Sequence, residues 1–280
     1  MTLESTLARK MWRTMEPFHG FVYFIDEAAA AYTEAGLAPG RMGYFASRSA
    51  PMGPVPPEVV IATFFNFHPA LVRSCIPEAW RLATPARVLD ARLSAVDAGL
   101  HRILGEDATG ADMTEAAGIA RAAAEACQPE GRPLFAGHAS LPWPDEPHLV
   151  LWHAITLLRE YRGDGHIAAL VAEGVGGCQA LVIHGATGDV PNAVLQSSRA
   201  WPDDEWARAV DELRSRGWLD ESGALTDAGR THRRWVEDRT DALAMAPWEA
   251  VGQDQADRLR AVVRPWSKAI VQSGELAFRN

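Results

Sequence analysis

Residues 216–230 read RGWLDESGALTDAGR. Trp218-Leu219 and Ala224-Leu225 are short apolar runs on either side of Asp220-Glu221-Ser222-Gly223, which predicts a short β-hairpin with a polar tip. Asp227 stands where an N-cap belongs and opens a helical pattern running to about Ala244. Upstream, residues 203–216 read as a helix, with Pro202 and three acids (Asp203, Asp204, Glu205) at its start, where carboxylates oppose the positive end of the helix dipole. Pro191 suits the first turn of a short helix, and a further helix through residues 180–184 stops at Gly185. Leu151, Ile155 and Leu158 keep the i, i+4, i+7 spacing of an amphipathic helix over 149–161. Gly163-Asp164-Gly165 is expected to break that helix before another over 166–173.

Helix, short helix, helix, hairpin, helix is the order of a winged helix, a variant of the helix-turn-helix. The stretch 216–230 resembles the wing region of MarR-type regulators, which carry an RG(L/W)…LT..G pattern. Together with residues 42–60 (MGYFASRSAPMGPVPPEVV) and 142–170 (PWPDEPHLVLWHAITLLREYRGDGHIAAL), it also resembles a family of actinobacterial proteins described only as helix-turn-helix. The resemblance covers most of the chain and implies a fold; it implies no reaction.

Four segments recur in order at offsets of 129–138 residues. Glu16-Pro17-Phe18-His19 is echoed by Glu146-Pro147-His148, and residues 30–37 by 168–175. Gly53-Pro54-Val55-Pro56 is echoed by Gly188-Asp189-Val190-Pro191, and Trp80 by Trp218. The expectation is a mainly α protein of two tandem winged-helix-like repeats, only the second with a β-hairpin wing. The first would span 14–126, a Pro- and Gly-rich linker 127–145, and the second 146–270.

A hydrophobic content of 48% with 22% charged residues supports a buried core. No stretch of 18 apolar residues offers a membrane span, and Met1 to Met15 has no apolar region of the signal-peptide kind, so a cytoplasmic protein is expected. Cys75, Cys127 and Cys178 are odd in number and widely spaced, as in a reducing compartment.

The net charge of −9 weighs against a nucleic-acid partner. The helix that would read bases opens on Asp203-Asp204-Glu205, the wing tip is Asp220-Glu221, and carboxylates there repel phosphates. Arg230, Arg233, Arg234 and Arg239 follow the wing, where Glu237, Asp238 and Asp241 are expected to pair with them.

No HExxH, Cys/His quartet, GxSxG elbow or phosphate loop is present, and no metal site or cofactor is assigned. The densest polar cluster is His148, His153, Arg159, Glu160, Arg162, Asp164 and His166. Arg159, Glu160, Arg162 and Asp164 could form one ion-pair network. Alternatively, a small molecule could sit between the repeats, oriented by Arg159 or Arg162 and walled by residues of the first repeat. The residues assigned to that site are Tyr44, Arg48, Met52, Phe65, Asn66, His148, Trp152, His153, Arg159, Arg162 and His184. Were the protein an enzyme, His153, Glu160 and His166 would be the acid–base candidates. A third reading is a transcriptional regulator that dimerises through residues 259–270.

Overall fold

The computed structural model describes residues 3–276. The elements run α1 (Thr6–Gly20), α2 (Asp26–Glu34), α3 (Arg41–Ser49), α4 (Pro57–Phe64), α5 (Pro69–Cys75), α6 (Glu78–Leu82), α7 (Pro85–Leu104), α8 (Ala111–Glu125) and α9 (Pro133–Ala139). They continue with α10 (Pro147–Ala172), α11 (Gly177–Gly185), α12 (Asn192–Arg199), α13 (Asp203–Ser215), α14 (Asp227–Leu243) and α15 (Ala246–Gln272). The mainly helical expectation holds.

The centre is α10, buried on nearly every side from His148 to Gly165. Helices all but surrounded by protein are apolar all round rather than along one stripe, and residues 149–158 are apolar on every face save His153 and Thr156. α8 lies against α10 and α15 through Ala116, Ala117, Ala120, Ala123 and Ala124, side chains small enough to let the axes approach. The expected break at Gly163-Asp164-Gly165 does not occur. Each glycine costs a helix about 1 kcal/mol, and packing against α9 and α14 outweighs that cost here.

Apolar side chains sort into two cores. The larger takes residues from Leu7 to Tyr161 and again from Ala244 to Ile270. The smaller takes residues from Ala169 to Val236, contributed by the end of α10, α11–α14 and the turn before α14. α9, within the stretch expected as a linker, buries Leu134 and Phe135 in the larger core. The 259–270 stripe is consumed in the same way: Leu259, Val262, Val263, Trp266 and Ile270 are buried in their own chain's core, so they offer no dimer surface.

Around 216–230 the helices fall where expected, but the wing does not form strands. Among the described residues the only ladder is one antiparallel bridge, Leu219 to Leu225. The Asp220 carboxylate accepts from the Ser222 and Ala224 amides at 2.9 and 3.0 Å, which folds the tip into a tight side-chain-capped turn too short for a hairpin. The cap of α14 is Thr226 rather than Asp227: its hydroxyl accepts from the Gly229 amide at 3.1 Å. Among the described residues no single helix is long and apolar enough to cross a membrane; α10 and α11 pass that test only as a pair bent by 100°.

Candidate functional site

The helix-turn-helix order is α12, a three-residue turn and α13. Its reading end is not free. The His68 amide donates to the Arg199 carbonyl at 3.0 Å, and the Trp201 indole donates to the Asn66 carbonyl at 2.9 Å. The His68 imidazole lies 3.3 Å from the Glu205 carboxylate and edge-on to the Trp201 ring. The loop 65–68 of the larger core is thus fastened to the first turn of α13, where a helix-turn-helix presents its base-reading residues.

Beneath this seam lies a polar network. Arg48 on α3 donates from Nη2 to both carboxylate oxygens of Glu160 on α10, at 3.1 and 3.2 Å, and from Nη1 to the Tyr44 hydroxyl at 2.9 Å. Arg159 donates to the same carboxylate at 2.9 Å and lies 3.6 Å from Glu16 on α1. Burial would raise the Glu160 carboxyl, but Arg159 and Arg48 outweigh it and hold it well below the usual carboxylate range. Glu16 goes the other way: burial raises it against the pull of Arg159. His19 sits beside them, 3.0 Å from the Thr156 hydroxyl and 3.0 Å from that of Tyr23. Burial, then Arg159, holds its imidazole neutral. A shallow groove lined by Trp12, Glu16, Arg159, Arg162 and Trp248 reaches this network from outside.

Arg199, the last residue of α12, completes the cluster across the seam. Its guanidinium lies 4.7 Å from the Phe67 ring centre, and Phe67 is 5.5 Å from Tyr44. Among the described residues, the half-buried Arg199 side chain donates only to the Ser198 hydroxyl, at 3.0 Å, and its Nε is buried with no partner. Burial lowers its pKa; the Tyr44 hydroxyl opposes that, and Arg41, Arg48 and Arg159 add to it. No carboxylate of the described residues pairs with it. Two guanidiniums, Arg48 and Arg159, therefore meet Glu160 and Glu16, and Arg199 feels their repulsion without a carboxylate of its own among the described residues, inside a protein of net charge −9.

The expected site thus divides. Tyr44, Arg48, Arg159 and Glu160 meet in the network, and Phe65 and Asn66 lie in the seam. Trp152 lies one step deeper, stacked on His19 with Arg92 over its ring. Met52 instead touches Gly137 of α9. His148 pairs with Asp97 at 2.6 Å. His153 packs edge-on to Trp143 with its Nε2 buried and unpartnered, and burial, then Arg92, pushes it down to about 4. The single ion-pair network expected of residues 159–164 is three separate arrangements. Arg162 pairs with Asp241 on α14 at 2.6 Å, and Asp164 accepts from the Phe135 amide at the start of α9 at 2.9 Å. Asp241 also binds Arg9 at 2.8 Å, and Glu237 and Asp238 lie within 3.7 and 3.4 Å of Arg9. These acids therefore do not serve the α14 cations: Arg230 pairs with Asp227, while Arg233, Arg234 and Arg239 form no ion pair among the described residues. His166 and His184 line a different cleft, of about 100 Å³, with His232, Arg233 and Glu237.

Sequence reasoning missed Glu16, His19, Tyr23, Phe67 and Arg199. Arg199 had a signal, a cation closing a short helix just before a Trp-Pro turn; Glu16 and His19 had been noted only as part of a repeat. No curated protein and no solved structure matches the chain. A family model described as a helix-turn-helix family matches residues 8–277, and the chain belongs to that family.

Proposed function

We propose that this protein binds a small anionic molecule with an aromatic or apolar body in the seam between the larger core and the helix-turn-helix unit. Arg199, Arg48 and Arg159 would take the anionic group, and Tyr44, Phe67 and Tyr23 the body. One observation carries the reading: Arg199 is partly buried, is repelled by Arg41, Arg48 and Arg159, and pairs with no carboxylate of the described residues. A buried cation without a partner costs several kcal/mol, and a bound carboxylate or phosphate would relieve that cost with charge-assisted bonds. Because the α12–α13 turn borders the same seam, occupancy would bear on how α13 is held.

Thermal-shift screening against aromatic carboxylates and phosphate monoesters tests this. The wild type should gain stability with at least one compound, and Arg199→Ala should lose that gain while folding at least as stably without ligand. A hit whose shift survives Arg199→Ala, or a panel without hits, would overturn the site.

A second reading, a DNA-binding regulator, has its own support in the family's helix-turn-helix scaffold and in the unpaired Arg233, Arg234 and Arg239 of α14. Against it stand the acids opening α13 and the loop 65–68 that covers them. The protein is expected not to retard duplex DNA at ~0.1 M salt; a sequence-specific shift there would favour the regulator. The acid–base reading has less support, because His153 and Glu160 are two helical turns apart and His153 is enclosed.

A further inference from the structure

The α7–α10 contact brings together three groups that no step above uses. Asp97 and His101 are one turn apart on α7, so their side chains share a face. His148, at the start of α10, reaches them from the core. Its Nε2 lies 2.6 Å from the Asp97 carboxylate, the His101 Nε2 lies 3.5 Å from the same oxygen, and one donor atom of each residue falls within 4.8 Å of the others. The two imidazole rings stand 4.7 Å apart, edge to face.

We propose that Asp97, His101 and His148 bind one divalent transition-metal ion of the zinc class. Three features of the cluster argue for it. Two imidazoles and a carboxylate are the donor set that such ions prefer, and three protein ligands leave a coordination position for water. Donors 2.0–2.1 Å from a tetrahedral ion lie roughly 3.3 Å apart, within the range the three atoms already span. The carboxylate is also uncommitted: among the described residues its only ionic partners are these two histidines, with no Arg or Lys competing.

The rigidity is divided as a site requires. His148 is 1% exposed and fixed by the core, whereas Asp97 and His101 side chains are 46% and 45% exposed, so they have room to turn onto an ion and to admit it from solvent. His101 also lies in the last turn of α7, the negative end of the helix dipole, which favours a cation. Bound there, the ion would tie the end of α7 to the start of α10 and thereby stabilise the larger core.

Chelator-treated protein titrated with Co²⁺ tests this directly. The wild type should bind one equivalent, develop the visible absorption of a low-coordinate cobalt site, and melt at a higher temperature with Zn²⁺ than without. Asp97→Asn and His101→Ala alter half-exposed side chains and should keep the metal-free melting temperature. Each should bind at least about tenfold more weakly, the loss that even removing an outer partner of a ligand causes. His184→Ala, in the other histidine cleft, should bind as the wild type does. Absence of stoichiometric binding, or equal affinity in His101→Ala, would overturn the proposal; loss of binding in His184→Ala alone would place the metal in the other cleft and overturn it equally.

Discussion

Asp164 lies within α10, 5% exposed, and accepts a hydrogen bond from the Phe135 amide at 2.9 Å. Burial raises its carboxyl to about 6, against the pull of that amide. A folded-state pKa above the unfolded value of 3.8 means that the folded chain favours the protonated form. The stability so gained is complete below pH 3.8 and is lost as pH rises through about 6. Asparagine keeps an acceptor and carries no charge. Asp164→Asn should therefore match the wild type near pH 4 and exceed it by about 3 kcal/mol near pH 7.5, two pKa units at about 1.4 kcal/mol each. Urea melts of the two proteins at both pH values provide the comparison, and a gap independent of pH would refute the burial argument. The sequence showed Asp164 only as a charge near Arg159 and Arg162. Its actual partner is a backbone amide 29 residues away, which no local pattern records.

At the scale of elements, the seam between loop 65–68 and the helix-turn-helix unit rests on a close backbone approach. Phe65, the C-cap of α4, holds φ +57, a left-handed conformation that costs a non-glycine residue energy. It turns its carbonyl onto Gly177, the first residue of α11, and a Cβ at Gly177 would collide with that oxygen. Gly177→Ala should lower stability by roughly 2 kcal/mol or more, since backbone cannot yield as a side chain can. It should also expose the Trp201 turn, seen as faster proteolysis at 200–202. Unchanged proteolysis and melting would mean that the seam does not hold α13. Element capping also accounts for one of the apparent repeats. Residues 30–37 and 168–175 both end a helix on a glycine at positive φ, Gly36 and Gly174, followed by a buried apolar residue whose amide returns to the last turn. That is a common capping device, so the likeness between these segments needs no shared ancestry.

For the whole molecule, the larger core holds three histidines neutral. Burial, then Arg92, pushes His138 to about 3 and His153 to about 4, and burial, then Arg159, takes His19 well below 6.5. Depressed folded pKa values give stability that is present above pH 6.5 and lost as pH falls through the folded values. Between pH 6 and 4 the unfolded chain binds nearly two more protons than the folded chain at His138 and His153, His19 adds in the same direction, and Asp164 returns up to one. The net should cost about 1 kcal/mol or more per pH unit. Histidines 166, 184 and 232 add to this, since burial lowers each of them as well. The urea midpoint should fall steeply from pH 6.5 to 4; a flat profile would show that these imidazoles are solvated in the folded protein.

The sequence by itself determined the helices between residues 177 and 244 to within a few residues, because proline starts and glycine stops act within three or four residues; it did not determine the continuity of α10 across Gly163-Asp164-Gly165 or the presence of α9, which packing decides. It determined the acidity of α13, which is composition at known positions. It also pointed to residues 216–230 as the turn before α14, although Asp220 closes that turn too tightly for strands. Only the tertiary structure decided which polar groups meet. Arg48 and Glu160 are 112 residues apart, Asp97 and His148 51, and His68 and Glu205 137. Side-chain pairing over such separations follows from which helix faces pack together, and local sequence carries no record of that choice.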